Sequence, residues 1–263
     1  MIHAEARVGF VGGGRIVRIM LGGWSRAHAL PSRIIVSDTS TTTLDDLKRR
    51  FPSIEVAPGD NHAPARQDVV FVALHPPAMA AGLGEIKTVV ASDAIVVSLA
   101  PKVTLGQMSA LLGGRGQLAR VIPNAPSITG AGYNPLAFAA SVPAEARRPL
   151  MELLAPLGAC PEVEESTLEA YAILTAMGPT YLWFQFAELL SLSRSFGLAE
   201  TDARAGLQSM VNGTIRTLMD PQFASEAEVE DLIPVKPLAS DEEAFRTAYR
   251  TRLTALHAKL TGS

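Results

Sequence analysis

The chain has one cysteine, Cys160. That excludes an internal disulfide and any metal site built from cysteine thiolates. Its five histidines, at 3, 28, 62, 75 and 257, form no pair at helical or zinc-ligand spacing, which argues against a catalytic metal. Basic residues cluster no further than Lys48-Arg49-Arg50 and the pair Arg147-Arg148, and the net charge is −3, so nucleic acid is not expected as a partner. The opening MIHAEARVGFVGGG lacks the basic and long apolar stretches of a secretory signal. With the scarcity of cysteine, this predicts a cytoplasmic protein.

One long uncharged run is present. No residue from Ala170 to Ala187 carries charge, about the length of a membrane span. Gly178-Pro179 interrupts it, Thr175, Thr180 and Gln185 dilute it, and no basic flank orients it. A junction between two helices fits better, with Pro179 in the first turn of the second, where its missing N–H costs nothing. The N–H groups freed there are expected to face a ligand. Apolar residues make up 48% and charged residues 19%, and the mean hydropathy is positive. The chain therefore has enough apolar surface for a large core and a surplus that predicts an oligomer interface.

The first half alternates apolar runs with helical patterns. RVGFVGGG (7–14), SRIIVSDTS (32–40), DVVFVAL (68–74), AIVVSLA (94–100) and LARVIPNAP (118–126) read as buried strands. TTLDDLKRRF (42–51) and PAMAAGLGEIKTVV (77–90) read as helices between them. This predicts βαβ units and an α/β, Rossmann-type domain over 1–160. After PEVEE (161–165) no strong strand appears. Helical patterns near 166–177, 179–197, 200–219 and 240–260 predict an all-helical domain over 161–263. GWSRA (23–27) has the outline of a nucleophile elbow but follows a helical stretch rather than a strand.

GFVGGGRIV holds Gly12-x-Gly14-x-x-Val17 after the first strand, with Asp38 at the end of the second. The first glycine permits a tight turn, the second lets backbone approach a pyrophosphate, and the helix start supplies N–H groups to it. Val17 stands where glycine or alanine is usual, which predicts a helix set slightly further from its strand. Asp38 is placed to accept from an adenine ribose hydroxyl, which favours NAD. Arg15 and the hydroxyls of TSTTT (39–43) argue for NADP.

These stretches resemble the pyrroline-5-carboxylate reductase family in order along most of the chain. GFVGGGRIV is similar to its glycine entry, DVVFVALHPPAM to its strand and Lys-Pro turn, and IVVSLAPKVTL to its fifth strand with the following loop. RVIPNAPSITGAG is similar to its Met-Pro-Asn-Thr-Pro segment, LLAPLGACPEVEE to its approach to the second domain, and ILTAMGPTYLWF to its Ser-Gly-Ser-Gly-Pro-Ala-Tyr signature. The resemblance implies a Rossmann domain followed by a helical dimerisation domain, reduction of a cyclic imine to proline with NAD(P)H, and a homodimer through the C-terminal helices, open to further assembly. It places Gly12, Gly14, Arg15 and Ile16 at the phosphates and Asp38 and Thr39 at the adenine ribose. Leu74, His75 and Pro76 fall at the cofactor cleft and Asn124 near the nicotinamide.

The departures are specific. Thr175 keeps the hydroxyl of the signature's first serine, whereas Met177 replaces its second. Gly178 and Pro179 complete the expected substrate wall. Thr175, Thr180 and Tyr181 are the candidate proton donors, with His75 a further one and Glu188 on the same helix face as Tyr181. The family's Ser-Pro-Gly-Gly-Thr-Thr loop, which holds the substrate carboxylate, is replaced by EDLIPVKPLASDEE, where Lys236 is the only cation. β-Hydroxyacid dehydrogenases share the layout but need a lysine in the long helix. Beyond Lys102 only Lys236 and Lys259 remain, and none lies in 166–219. Two alternatives stay open: reduction of a different imine, and a nucleotide-binding protein without turnover.

Overall fold

The computed structural model describes residues 6–262, so His3 and the start of the stretch read as lacking a secretory signal lie outside it. Among the described residues, nine strands and eleven α-helices follow in chain order. The sheet domain has β1 (Arg7–Val11), α1 (Arg15–Arg26), β2 (Arg33–Asp38), α2 (Thr41–Arg50), β3 (Glu55–Pro58), α3 (His62–Ala65) and β4 (Val69–Val72). It continues through α4 (Pro76–Ile86), β5 (Ile95–Ser98), α5 (Leu105–Leu111), β6 (Leu118–Val121), β7 (Gly132–Tyr133), β8 (Leu136–Phe138), α6 (Ala144–Leu154) and β9 (Gly158–Ala159). The main sheet has the order β3-β2-β1-β4-β5-β6-β8, parallel except for β8.

Strand residues alternate between two cores because successive side chains point to opposite faces. Val8, Phe10, Ile34, Val36, Phe71, Val97 and Val121 meet α1, α2 and α6 on one face. Val11, Val70, Val72, Val96 and Leu118 meet α4 and α5 on the other. Burial on both faces is why these strands read as near-continuous apolar runs. The strand order reverses between β1 and β4, which opens a crevice at their C-terminal ends. The expected doubly wound α/β domain with a helical part after it is what the chain forms.

One charge breaks the apolar pattern. Arg120, in the middle of β6, is 1% exposed. Its guanidinium donates to Glu169 at 2.6 Å and to Glu165 at 3.0 Å. The same carboxylates accept backbone N–H groups, Glu169 from Lys102 (3.1 Å) and Glu165 from Leu105 (2.6 Å). This network ties β6 and the loop after β5 to α7 (Leu168–Tyr171). Burial pushes the Glu169 carboxyl up, but the bonds from Arg120 and the Lys102 N–H outweigh it and hold the group below the ordinary carboxylate range.

The described residues form two compact units. The first runs to Met177 and takes in the chain from His257 onward, and the second is Gly178–Leu256. The strands end at β9, yet the first unit continues to Met177 because Leu168, Ala172 and Ala176 pack into the core beneath α4 and α5. The second unit carries α8 (Pro179–Ser195), α9 (Glu200–Leu218), α10 (Glu226–Glu230) and most of α11 (Glu242–Thr261). Among its described residues only Ala203 is fully buried. Trp183, Phe184, Phe196, Met219 and Ile233 are each more than half exposed. Tyr181, Phe184, Phe245, Tyr249 and Leu253 line an apolar groove of about 330 Å³, with Tyr181 and Tyr249 edge-on at 5.9 Å. No helix among the described residues is long and apolar enough to cross a membrane.

Removing Arg120 leaves the buried Glu169 and the partly exposed Glu165 without their cation. Arg120→Ala is expected to lower stability by about 3 kcal/mol, read from the midpoint of urea unfolding. The contribution of Glu169 is present above the ordinary glutamate value of about 4.3 and is lost as pH falls through its depressed folded value. The wild-type midpoint should therefore drop more than that of Glu169→Gln on acidification from that point.

Candidate active site

The crevice begins at the glycine turn. Gly12 has φ +96°, and a Cβ there would lie 2.8 Å from the carbonyl oxygen of Ala73. Both the turn and the close approach to β4 thus require glycine. The Gly12 N–H donates to Ser37 O at 2.8 Å, which pins the turn to β2. Gly14 caps α1 without a side chain, and nothing lies within 4 Å of where its Cβ would be. That open space, with the first-turn N–H groups of Arg15 and Ile16 lacking helical partners by position, suits a phosphate. Arg15 is exposed, whereas Val17 is fully buried in the core under α1.

Asp38 does more than border the site. Its Oδ2 accepts the Gly13 N–H and its Oδ1 the Ser40 N–H, both at 2.8 Å. The carboxylate therefore holds the glycine turn and the turn into α2, with lone pairs left on both oxygens for a ribose. Thr39 follows, exposed, and Ser40 caps α2 by accepting the Thr43 N–H. Beside the turn lies a cleft of about 370 Å³ whose lining includes Arg15, Arg18, Thr42 and Thr43. At the end of β4, Leu74 packs against the Gly12 turn and against Gly82 of α4. His75 stands at the N-cap of α4, exposed and without a side-chain capping bond, and Pro76 opens that helix.

Asn124 ends the strand-to-loop passage after β6 and is buried. Its Nδ2 donates to the carbonyl of Thr175 at 3.0 Å, and its Oδ1 accepts the Tyr133 N–H at 3.4 Å. Thr175 lies in a π-helical segment, Ala172–Met177, that prolongs α7. A residue at 179 would normally serve the Thr175 carbonyl four residues back, but Pro179 has no N–H. The Asn124 amide takes its place. The junction is thus less abrupt than the sequence implies. Gly178 keeps right-handed helical angles, and the widened π turn relieves the proline. The Tyr181 N–H, expected to be open to a ligand, is taken by Gly178 O at 2.9 Å.

Residues 7–102 match the family model described as NADP oxidoreductase coenzyme F420-dependent. The chain is 26% identical over 200 residues to a pyrroline-5-carboxylate reductase of Corynebacterium melassecola, covering 75% of this chain and 74% of the relative. It is 28% identical over 188 residues to that of Escherichia coli K12, covering 71% and 69%. The chain is similar in sequence to the pyrroline-5-carboxylate reductase family over most of its length. In fold it matches the Plasmodium falciparum pyrroline carboxylate reductase solved with NADP bound. The TM-score is 0.80 at 18% identity, over 98% of this chain and 97% of the other.

The candidate residues divide between the two units. Gly12, Gly14, Arg15, Ile16, Asp38, Thr39, Leu74, His75, Pro76, Asn124, Thr175 and Met177 belong to the first unit. Gly178, Pro179, Thr180, Tyr181 and Lys236 belong to the second. The Thr175 hydroxyl donates to Tyr171 O at 2.9 Å, so its proton is engaged and its lone pairs are what it offers. Tyr181 lines the aromatic groove, where burial and then Tyr249 push its phenol up, keeping it protonated at neutral pH. Lys236 is bonded to Glu230 at 2.6 Å, which offsets much of the charge expected for a carboxylate. Glu188 is exposed on α8. The network of Arg120, Glu169 and the Lys102 N–H was not read from the sequence. The one signal was a charge inside the apolar LARVI run.

Asp38→Ala removes both a ribose acceptor and the tie on Gly13. Both cofactors should bind more weakly, NAD(H) more so, shifting the NADP(H)-to-NAD(H) affinity ratio by about tenfold in fluorescence titrations. An unchanged ratio contradicts the role of Asp38.

Proposed function

We propose that the protein is an NAD(P)H-dependent reductase of a C=N bond, of the pyrroline-5-carboxylate reductase type. It turns a cyclic imine into a proline-type amine and so serves proline biosynthesis in the cytoplasm. The observation that carries this is the crevice itself. A glycine turn with free first-turn N–H groups lies at one end, and the Asn124-braced Thr175 turn follows the last strand.

A nicotinamide bound in the crevice supplies the hydride. The chain supplies position. Gly14, Arg15 and Ile16 hold the phosphates through N–H groups and a guanidinium, and Asp38 and Thr39 take the adenine ribose. Arg18, Thr42 and Thr43 beside them give a 2′-phosphate polar partners, so NADP(H) is accommodated even though Asp38 favours NAD(H). Leu74, His75 and Pro76 border the cleft and Asn124 fixes the backbone near the ring. Thr180 and Tyr181 are hydroxyl donors to the nitrogen of the neutral imine, and Thr175 presents oxygen lone pairs to the N–H once that nitrogen is protonated. An imine protonates readily, so a strong acid is unnecessary. Met177, Gly178 and Pro179 wall the substrate, and Lys236 is a secondary anion contact.

The helical region, 161–263, serves dimerisation and substrate binding in this reading. Its support is the second unit's exposed apolar surface, which a soluble monomer rarely carries. A homodimer through α8 and α11 covers the groove of Tyr181, Phe184 and Phe245.

Thermal-shift titration with NAD⁺, NADH, NADP⁺ and NADPH should raise the melting temperature with at least one. No shift from any would refute dinucleotide binding. With pyrroline-5-carboxylate added, oxidation of that reduced cofactor is expected. Phe184→Glu should convert a dimer to monomer in light scattering, and a wild type that is already monomeric contradicts the dimer.

A further inference from the structure

Lys102 has φ +76°, one of two non-glycine residues among those described with a positive value. The other, His28, directly follows the last turn of α1, a common place for a left-handed residue. Lys102 has no such excuse. It follows β5 by four residues, at the C-terminal edge where the crevice opens. A side chain in this conformation is strained and persists only where its surroundings impose it. Here the imposing group is known: the buried Glu169 carboxylate, itself fixed by Arg120, accepts the Lys102 N–H at 3.1 Å.

Two ties therefore run to one short helical stretch. The loop after β5 is bonded through Lys102 to Glu169, and the loop after β6 is bonded through Asn124 to Thr175. Glu169 and Thr175 lie less than two helical turns apart, so the loop of Lys102 and the loop of Asn124 share one helical support. The Lys102 side chain is exposed, and its ammonium makes no ion pair among the described residues. Lys236, by contrast, is already paired with Glu230.

We propose that Lys102 is the cation that receives the carboxylate of the imine substrate. This rests on the reductase reading above. A cyclic imine acid bound in the crevice carries a negative charge that needs a partner once water is excluded. The loop that cradles it in the family has lost its glycine amides and threonine hydroxyls here. A lysine with no ion pair among the described residues, preset by a buried ion network on the helical stretch that carries Thr175, supplies that charge from the sheet domain.

The test is Lys102→Gly, because glycine adopts the same backbone without strain and only the charge is lost. The melting temperature should not fall. The KM for pyrroline-5-carboxylate should rise about tenfold or more, the worth of one charge-assisted contact, with kcat changed far less. The KM for 1-pyrroline, the same ring without its carboxylate, should stay within about twofold. Lys102→Arg should recover most of the loss. Equal effects on the two imines, no effect on either, or an effect confined to cofactor affinity would overturn the assignment. A wild type that reduces neither imine sinks the reductase reading alone. The carboxylate site is then read from the thermal shift that L-proline, compared with pyrrolidine, gives with cofactor present. The assignment stands if Lys102→Gly loses that shift and falls if the wild type lacks it.

Discussion

Pro179 has no N–H, and the carbonyl of Thr175 is therefore served from outside its helix, by the side-chain amide of Asn124. Much of the candidate site depends on that substitution. It joins the loop after β6 to the π turn that carries Thr175, and it fixes the orientation of the Asn124 amide, whose oxygen meets the Tyr133 N–H. A proline that would weaken an ordinary helix here creates an acceptor, and the sheet domain supplies the donor. The same helical stretch is anchored a second time through Glu169, where a buried arginine helps keep the carboxylate ionised and the carboxylate accepts the backbone N–H of Lys102.

The cofactor end is organised by one carboxylate. Asp38 accepts from Gly13 on one oxygen and from Ser40 on the other, so the glycine turn and the start of α2 share a support. This couples affinity to specificity. In the proposed reading, the group that discriminates between ribose and 2′-phosphate also shapes the turn that binds the pyrophosphate.

The doubly wound fold was legible because its central strands are buried on both faces. Val8–Val11, Val69–Val72 and Ile95–Ser98 therefore appear as uninterrupted apolar runs. β3 was not legible, since Glu55 and Pro58 are exposed and the strand is a lightly buried edge. Nor was α6, where Pro149 interrupts the helical pattern. The glycine turn and Asp38 could be read from spacing, but the two backbone bonds to Asp38 could not. The junction at Gly178-Pro179 was visible as an interruption, yet its repair by Asn124 joins residues far apart in sequence. The strain at Lys102 leaves no trace in composition, because it is set by Glu169 rather than by its neighbours in the chain.

The central claim is that the crevice carries hydride from a nicotinamide to an imine carbon. It is tested most directly by incubating the protein with pyrroline-5-carboxylate and stereospecifically C4-deuterated NADH or NADPH, using each C4 epimer, and examining the product by mass spectrometry and NMR. The account predicts proline with one deuterium at the former C=N carbon from one epimer of at least one cofactor. Unlabelled product from both epimers of both cofactors, or no product from either cofactor, would contradict it.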